Sequence, residues 1–324
     1  MSQELLNVSD LYVSFQSDGK KVCAVNGVNL VLNKGETLGL VGETGAGKTT
    51  IAKAILGILP NPQAKVDQGS IVFDGENLLK LPENQMRKVR GKKISMIFQD
   101  PMTSLNPVRT VGNQIAETIQ LHENLSKQEV HQRAIEMLEQ VGIPGERYGD
   151  FPHQFSGGMK QRVIIAMALA CHPELLLADE PTTALDVTIQ AQILNMMNDL
   201  KVQYDTSVIM ITHDLGIIAE MCQKVAVIYA GEIIESGTVE EIFNEPTHPY
   251  TIGLFGSLID LEEDVDRLKP IPGLMPDPTK LPAGCKFSER CPYATEQCKT
   301  ENPKVLHLGG THHVKCLNQE VVKL

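Results

Sequence analysis

No apolar run in the 324-residue sequence approaches a membrane span, which takes about 17–25 residues. The longest, Val163 to Cys171, is stopped by His172 and Pro173. The opening residues, MSQELLNVSD, lack the basic start and apolar stretch of a secretory signal, so none is expected. Positive charge is in deficit: 29 Lys and Arg against 40 Asp and Glu leave a formal charge of −11. That balance weighs against nucleic acid as the main partner. Internal repeats and low-complexity tracts are missing as well. The composition, 42% hydrophobic and 21% charged, excludes a disordered or fibrous chain. The length corresponds to about two domains.

The cysteines lack the C-x2-C pairing typical of structural zinc. Cys23, Cys171 and Cys222 are scattered, whereas Cys285, Cys291, Cys298 and Cys316 form a late cluster spaced C-x5-C-x6-C-x17-C. In an intracellular chain such a cluster reads as metal or iron–sulfur ligation before disulfides. His312 and His313 beside Cys316 keep a mixed zinc site open, and unligated thiols are the third reading.

Along the chain the pattern is α/β. Thr37 to Val41 is an apolar run of strand length, a glycine-rich turn follows at Gly42, and Lys48 onward has helical length and composition. From about Asn113 to Phe155 the chain reads as helical. Ser126 to Glu129 forms a capping-box pattern, with Val130, Ala134, Met137, Leu138 and Val141 at helical spacing behind it and Gly142 as the stop. Glu174–Ala178, Ser207–Thr212, Lys224–Tyr229 and a short run through Ile233 and Ile234 are strand candidates. From about Asn244 the texture changes. Pro246, Pro249, Pro270, Pro272, Pro276, Pro278 and Pro282 punctuate a linker and a poorly helical module that carries the four clustered cysteines.

The segment Gly42-Glu43-Thr44-Gly45-Ala46-Gly47-Lys48-Thr49, followed by Thr50, matches G-x-x-x-x-G-K-[ST] without a gap. Backbone N–H groups of such a loop wrap phosphate oxygens, and the helix start adds its positive dipole end. Lys48 is expected on the β- and γ-phosphates and the Thr49 hydroxyl on Mg²⁺. Leu175-Leu176-Leu177-Ala178 is an apolar strand that ends in Asp179, expected beside the metal, and Glu180, expected to orient the attacking water.

Phe155-Ser156-Gly157-Gly158-Met159-Lys160-Gln161-Arg162 resembles the signature motif of ABC-type ATPases, with Phe155 and Met159 where leucine and glutamine are usual. Other family pieces follow in order. Gln99 resembles the Q-loop glutamine, a further Mg²⁺ ligand; Ala184-Leu185-Asp186 the D-loop; His213 the switch histidine; and Phe15 the aromatic that stacks on adenine. The resemblance implies an α/β fold: a P-loop NTPase of the ABC ATPase type, with an inserted helical subdomain at about residues 100–160. The nucleotide-binding domain is expected over residues 1–250 and the extension over 251–324. It also implies a head-to-tail dimer in which Ser156, Gly157 and Gly158 close over the ATP held by the other chain. Glu180, His213, Gln99 and Lys48 are then the catalytic set.

Two segments narrow the resemblance. Phe98 to Pro107 (FQDPMTSLNP) and His248-Pro249-Tyr250-Thr251 with its proline-rich, cysteine-bearing tail are similar to ATPase subunits of dipeptide, oligopeptide and nickel importers, D-type. That group implies an F-type ATPase as the second subunit, two membrane permeases, an extracytoplasmic peptide-binding protein, and a peripheral place on the cytoplasmic face of the membrane. It also implies a [4Fe–4S] cluster in some members, on Cys285, Cys291, Cys298 and Cys316. The transported solute stays open among dipeptide, oligopeptide, nickel and other small solutes. Export remains an alternative to import, and a soluble ABC ATPase acting on DNA or ribosomes an alternative to transport.

Overall fold

The computed structural model describes residues 3–17, 19–100, 104–183, 185–256 and 271–318. They form two compact units interleaved along the chain. One is built mainly from Leu32–Thr37 and Lys80–Ile211, the other from Leu5–Val31, Leu38–Leu79 and the chain from Thr212 on.

In the first unit, strands Ile94–Ile97, Leu175–Asp179 and Ser207–Ile211 lie parallel, with Ile94 opposite Leu175 and Asp179 opposite Ile211. Every residue of the three is buried. That is why they read as unbroken apolar runs: a parallel strand covered on both faces has no solvent side to make polar. Helices Glu83–Val89, Val111–His122, Lys127–Gln140, Gly157–Leu169 and Val187–Tyr204 belong to the same unit. The capping box at Ser126 is formed: its hydroxyl accepts from the Glu129 amide and the Glu129 carboxylate accepts from the Ser126 amide. Val130, Ala134, Met137 and Leu138 make the buried stripe behind it.

The second unit begins with alternating segments. Glu4–Ser17, flanked by Lys20–Asn33 and Ala64–Phe73, belongs to a four-stranded sheet closed by Glu76–Asn77. Its other sheet runs, in spatial order, through Val305–Gly309, His312–Lys315, Glu232–Thr238, Lys224–Tyr229 and Thr37–Val41. The last two are parallel and the rest antiparallel. The tail thus contributes two strands, with Glu235 opposite Val314 and Ser236 opposite His313. Tyr229, Tyr250 and Phe287 are fully buried and pack ring against ring, 4.7–5.6 Å between centroids. This aromatic cluster ties helix Pro249–Phe255 and the cysteine segment to strand Lys224–Tyr229. Among the described residues no helix is long and apolar enough to cross a membrane.

Candidate functional site

The phosphate-loop sequence sits in the second unit where buried strand Thr37–Val41 ends. Gly42 passes so close to strand Lys224–Tyr229 that a Cβ there would lie 2.2 Å from the Ile228 carbonyl oxygen. Glu43 to Ala46 then turn, with the Ala46 amide donating to the Glu43 carbonyl at 3.1 Å. Helix Lys48–Ile55 starts from Gly47, whose φ of 107° and lack of a side chain leave the helix start without a side-chain cap. The first N–H groups of a helix have no partner within it, and an anion satisfies them. Lys48 is 7% exposed, and its ammonium donates to the carbonyls of Gly42 at 2.6 Å and Glu43 at 3.0 Å. Thr44 and Gly45 are exposed, while Thr49 and Thr50 are half-buried in the first turn. Uncapped amides, a cation held at the loop and an adjacent hydroxyl are the donor set that a magnesium–nucleotide phosphate tail requires, so the residues fit that group.

Phe15 and His213 lie in the same unit. Phe15 is half-buried on strand Glu4–Ser17, opposite Ala64. His213 is exposed, one residue before Asp214, which caps helix Leu215–Met221 by accepting from the Gly216 and Ile217 amides.

In the first unit, Asp179 closes its strand and is 2% exposed. Glu180 follows with φ 48°, a left-handed conformation that is costly for a residue with a side chain and persists where surroundings enforce it. Its amide donates to the Ile211 carbonyl at 2.8 Å. Its carboxylate accepts from the Gln99 side-chain amide and from the Thr183 hydroxyl, each at 2.9 Å. Folding therefore joins Gln99 and Glu180, 81 positions apart in sequence.

Ser156 caps helix Gly157–Leu169, accepting from the Met159 amide at 3.4 Å. Phe155 before it is buried under the Arg147 guanidinium, 4.2 Å from the ring centroid. A Cβ on Gly158 would lie 2.6 Å from Ile189 Cγ2, so this glycine admits helix Val187–Tyr204. Asp186 caps that second helix, accepting from the Ile189 amide at 2.9 Å. Ala184 of the D-loop pattern, and Pro101, Met102 and Thr103 of the segment after Gln99, lie outside the described residues.

Two contributors escaped the sequence reading. Gln114 is buried and links the far end of the Gln99 segment to its helix, accepting from the Asn106 amide and donating to the Asn106 and Arg109 carbonyls. Arg290 grips Glu43. No local spacing marks either of them. Tyr250 of the His248-Pro249-Tyr250-Thr251 motif accepts from the Glu43 amide, a contact the motif did not indicate.

The four tail thiols are near enough to act on one another electrostatically. Burial pushes Cys285 up to about 11, and the Cys298, Cys291 and Cys316 sulfurs add to the rise. Burial also raises Cys291 and Cys316, with neighbouring thiols adding. Among the described residues no group of three or more His, Cys, Asp or Glu side chains is arranged to hold a metal ion. The described residues thus give no support to the expected [4Fe–4S] cluster.

Comparison with known proteins agrees with these motifs. The ABC transporter family model matches residues 25–183, and the model of the oligopeptide/dipeptide transporter C-terminal region matches 234–298. The oligopeptide transport ATP-binding protein OppD of Bacillus subtilis (strain 168) is 53% identical over 96% of this chain and 88% of its own. The protein of that name in Escherichia coli (strain K12) is 49% identical over 92% and 89%. A solved dimeric ATP-binding cassette, in a post-hydrolysis state bound to ADP and phosphate, superposes with a TM-score of 0.65 at 26% identity over 72% of this chain and 98% of its own. With its ATP-binding motifs and its tail both matched, the chain belongs to the ABC transporter family, among the oligopeptide and dipeptide transport ATP-binding proteins.

Proposed function

We propose that this protein is the ATP-hydrolysing subunit of a peptide importer. The observation that carries the reading is the uncapped helix start at Gly47 with Lys48 held beside it. In this reading Gly42 to Thr50 bind the phosphates and Lys48 neutralises the β- and γ-oxygens. Thr49, Gln99 and Asp179 hold Mg²⁺, whose charge supplies Lewis-acid stabilisation of the transferring phosphoryl group. Glu180 orients the attacking water, and the bonds from Gln99 and Thr183 fix its carboxylate for that task. Phe15 stacks on adenine, and His213 completes the catalytic set. Ser156, Gly157, Gly158 and Asp186 face the nucleotide of a second ATPase subunit.

The relatives are named for oligopeptide transport, which supports peptides as the cargo class. In this reading the partners are two membrane permeases, an extracytoplasmic binding protein and an F-type ATPase in a heterodimer, with this chain peripheral on the cytoplasmic face. Residues 1–250 act as the nucleotide-binding domain and 251–324 as the extension. The reading assigns no step to the tail cysteines. Glu180→Gln tests the core of the proposal: Mg·ATP binding should persist while turnover falls by about 10²- to 10⁴-fold, the range of general-base catalysis. Undiminished turnover would remove Glu180 from its role. Peptide-stimulated ATPase activity of the complex reconstituted with its permeases tests the cargo.

A further inference from the structure

A phosphate loop works by gathering positive potential around an anion, yet the second residue of this one is Glu43. A carboxylate there opposes the charge it must help to bind. The structure answers that charge from the far end of the chain. The two terminal nitrogens of Arg290 each meet one Glu43 carboxylate oxygen at 3.0 Å, the bidentate geometry that makes Arg–carboxylate pairs strong and directional. The Arg290 side chain is only 5% exposed. Its remaining donors are engaged as well: Nε with the Pro272 carbonyl at 2.9 Å, Nη1 with the Tyr229 hydroxyl at 3.3 Å, and Nη2 with the Ile271 carbonyl at 3.3 Å. A guanidinium held on three sides holds its carboxylate partner. The Glu43 amide is fixed separately, donating to the Tyr250 hydroxyl at 2.9 Å. A Cβ on Gly45 would sit 3.3 Å from the Met275 methyl, so the tail also lies against the loop's outer turn.

We propose that Arg290, carried by the cysteine-bearing tail, is a positioning residue for nucleotide binding: it neutralises Glu43 and fixes it inside the phosphate loop. The tail is then part of the nucleotide site's electrostatics as well as its packing. The inference rests on the phosphate-loop reading above, and saturable Mg·ATP binding by the unmodified full-length protein checks that reading before any variant is compared.

The test is a charge cycle read by Mg·ATP affinity, with calorimetry on the full chain. Arg290→Gln leaves Glu43 as a partly buried, unpaired negative charge, and Kd should rise about fivefold or more, an effect that shrinks as salt screens it. Glu43→Gln in the same background removes that charge and should bring Kd back to within about twofold of the parent. Glu43→Gln alone should lower Kd, because it leaves the Arg290 charge uncompensated beside the phosphates. A structural role alone predicts the opposite pattern: no rescue in the double variant and no salt dependence. Either that pattern, or an Arg290→Gln protein with unchanged Kd, overturns the proposal. Should Arg290→Gln fail to fold, the Glu43→Gln arm decides, because a rise in its Kd of about fivefold or more contradicts the charge argument.

Discussion

Two glycine-bearing segments open helices in this protein, and they use glycine for different reasons. At Gly42 to Gly47 the glycines serve the backbone: Gly47 has φ 107°, and the helix behind it has no side-chain cap. At Ser156 to Gly158 the glycines are helical and serve packing, since a Cβ on Gly158 would strike Ile189, while Ser156 caps the helix itself. The first leaves its helix start without a side-chain cap, while its Glu43 and Ala46 amides have partners within the protein. The second has already satisfied one of its amides with its own hydroxyl. The first is therefore a helix start set by backbone conformation, whereas the second is capped by its own side chain and presents small residues.

The sharpest way to break this contrast is Gly47→Ala. A Cβ there would lie 2.5 Å from the Ala24 carbonyl oxygen at a φ that side chains rarely adopt. Strain of about 1–3 kcal/mol corresponds to about 5- to 150-fold in Mg·ATP Kd, measurable by calorimetry. An affinity within about twofold of the parent would show that the loop's conformation does not depend on glycine.

A second, intermediate effect concerns the support behind the phosphate loop. His248 is fully buried, its Nδ1 accepts from the Tyr250 amide, and burial lowers its pKa from 6.5 to about 3. In the unfolded chain the ring takes up its proton at ordinary pH values; in the folded chain it does not. Stability is thus complete above pH 6.5 and declines as pH falls from there toward 3, by up to about 1.4 kcal/mol per pH unit. Urea unfolding between neutral and mildly acidic pH should show the slope, and His248→Asn should flatten it. An equal slope in both proteins would remove His248 as its source.

The smallest effect is expected at the capped segment. Ser156→Ala removes the hydroxyl that accepts from Met159. It should cost about 1 kcal/mol, or about 2–4 °C in Tm. A thermal melt unchanged by the substitution would mean that the cap contributes nothing.

Much of the fold was legible because its signals are local. Lys224–Tyr229 forms the expected strand, Leu175–Asp179 lies one residue along from its expected position, and the Ser126 box caps its helix. A strand buried on both faces and a cap three residues from the amide it accepts from are set by neighbours in sequence. The tail was harder to read. Its prolines suggested a linker and a poorly helical module without marking strands, and Val305–Gly309 and His312–Lys315 join the sheet beside Glu232–Thr238. Short strands with mixed burial carry a weak period-two signal. The cysteine spacing suggested shared ligation, whereas three-dimensional placement leaves the described thiols mutually perturbing without a ligand set.

The sequence by itself determined the strand–loop–helix around Lys48, the order of the ATPase motifs and the chemistry available at each. Tertiary structure alone decided which of those groups meet: Gln99 with Glu180, and Arg290 with Glu43 across 247 positions. The physical reason is range. Backbone conformation and capping act over a few residues, so spacing records them; a buried bidentate ion pair depends on how distant segments pack, and no interval in the sequence encodes it.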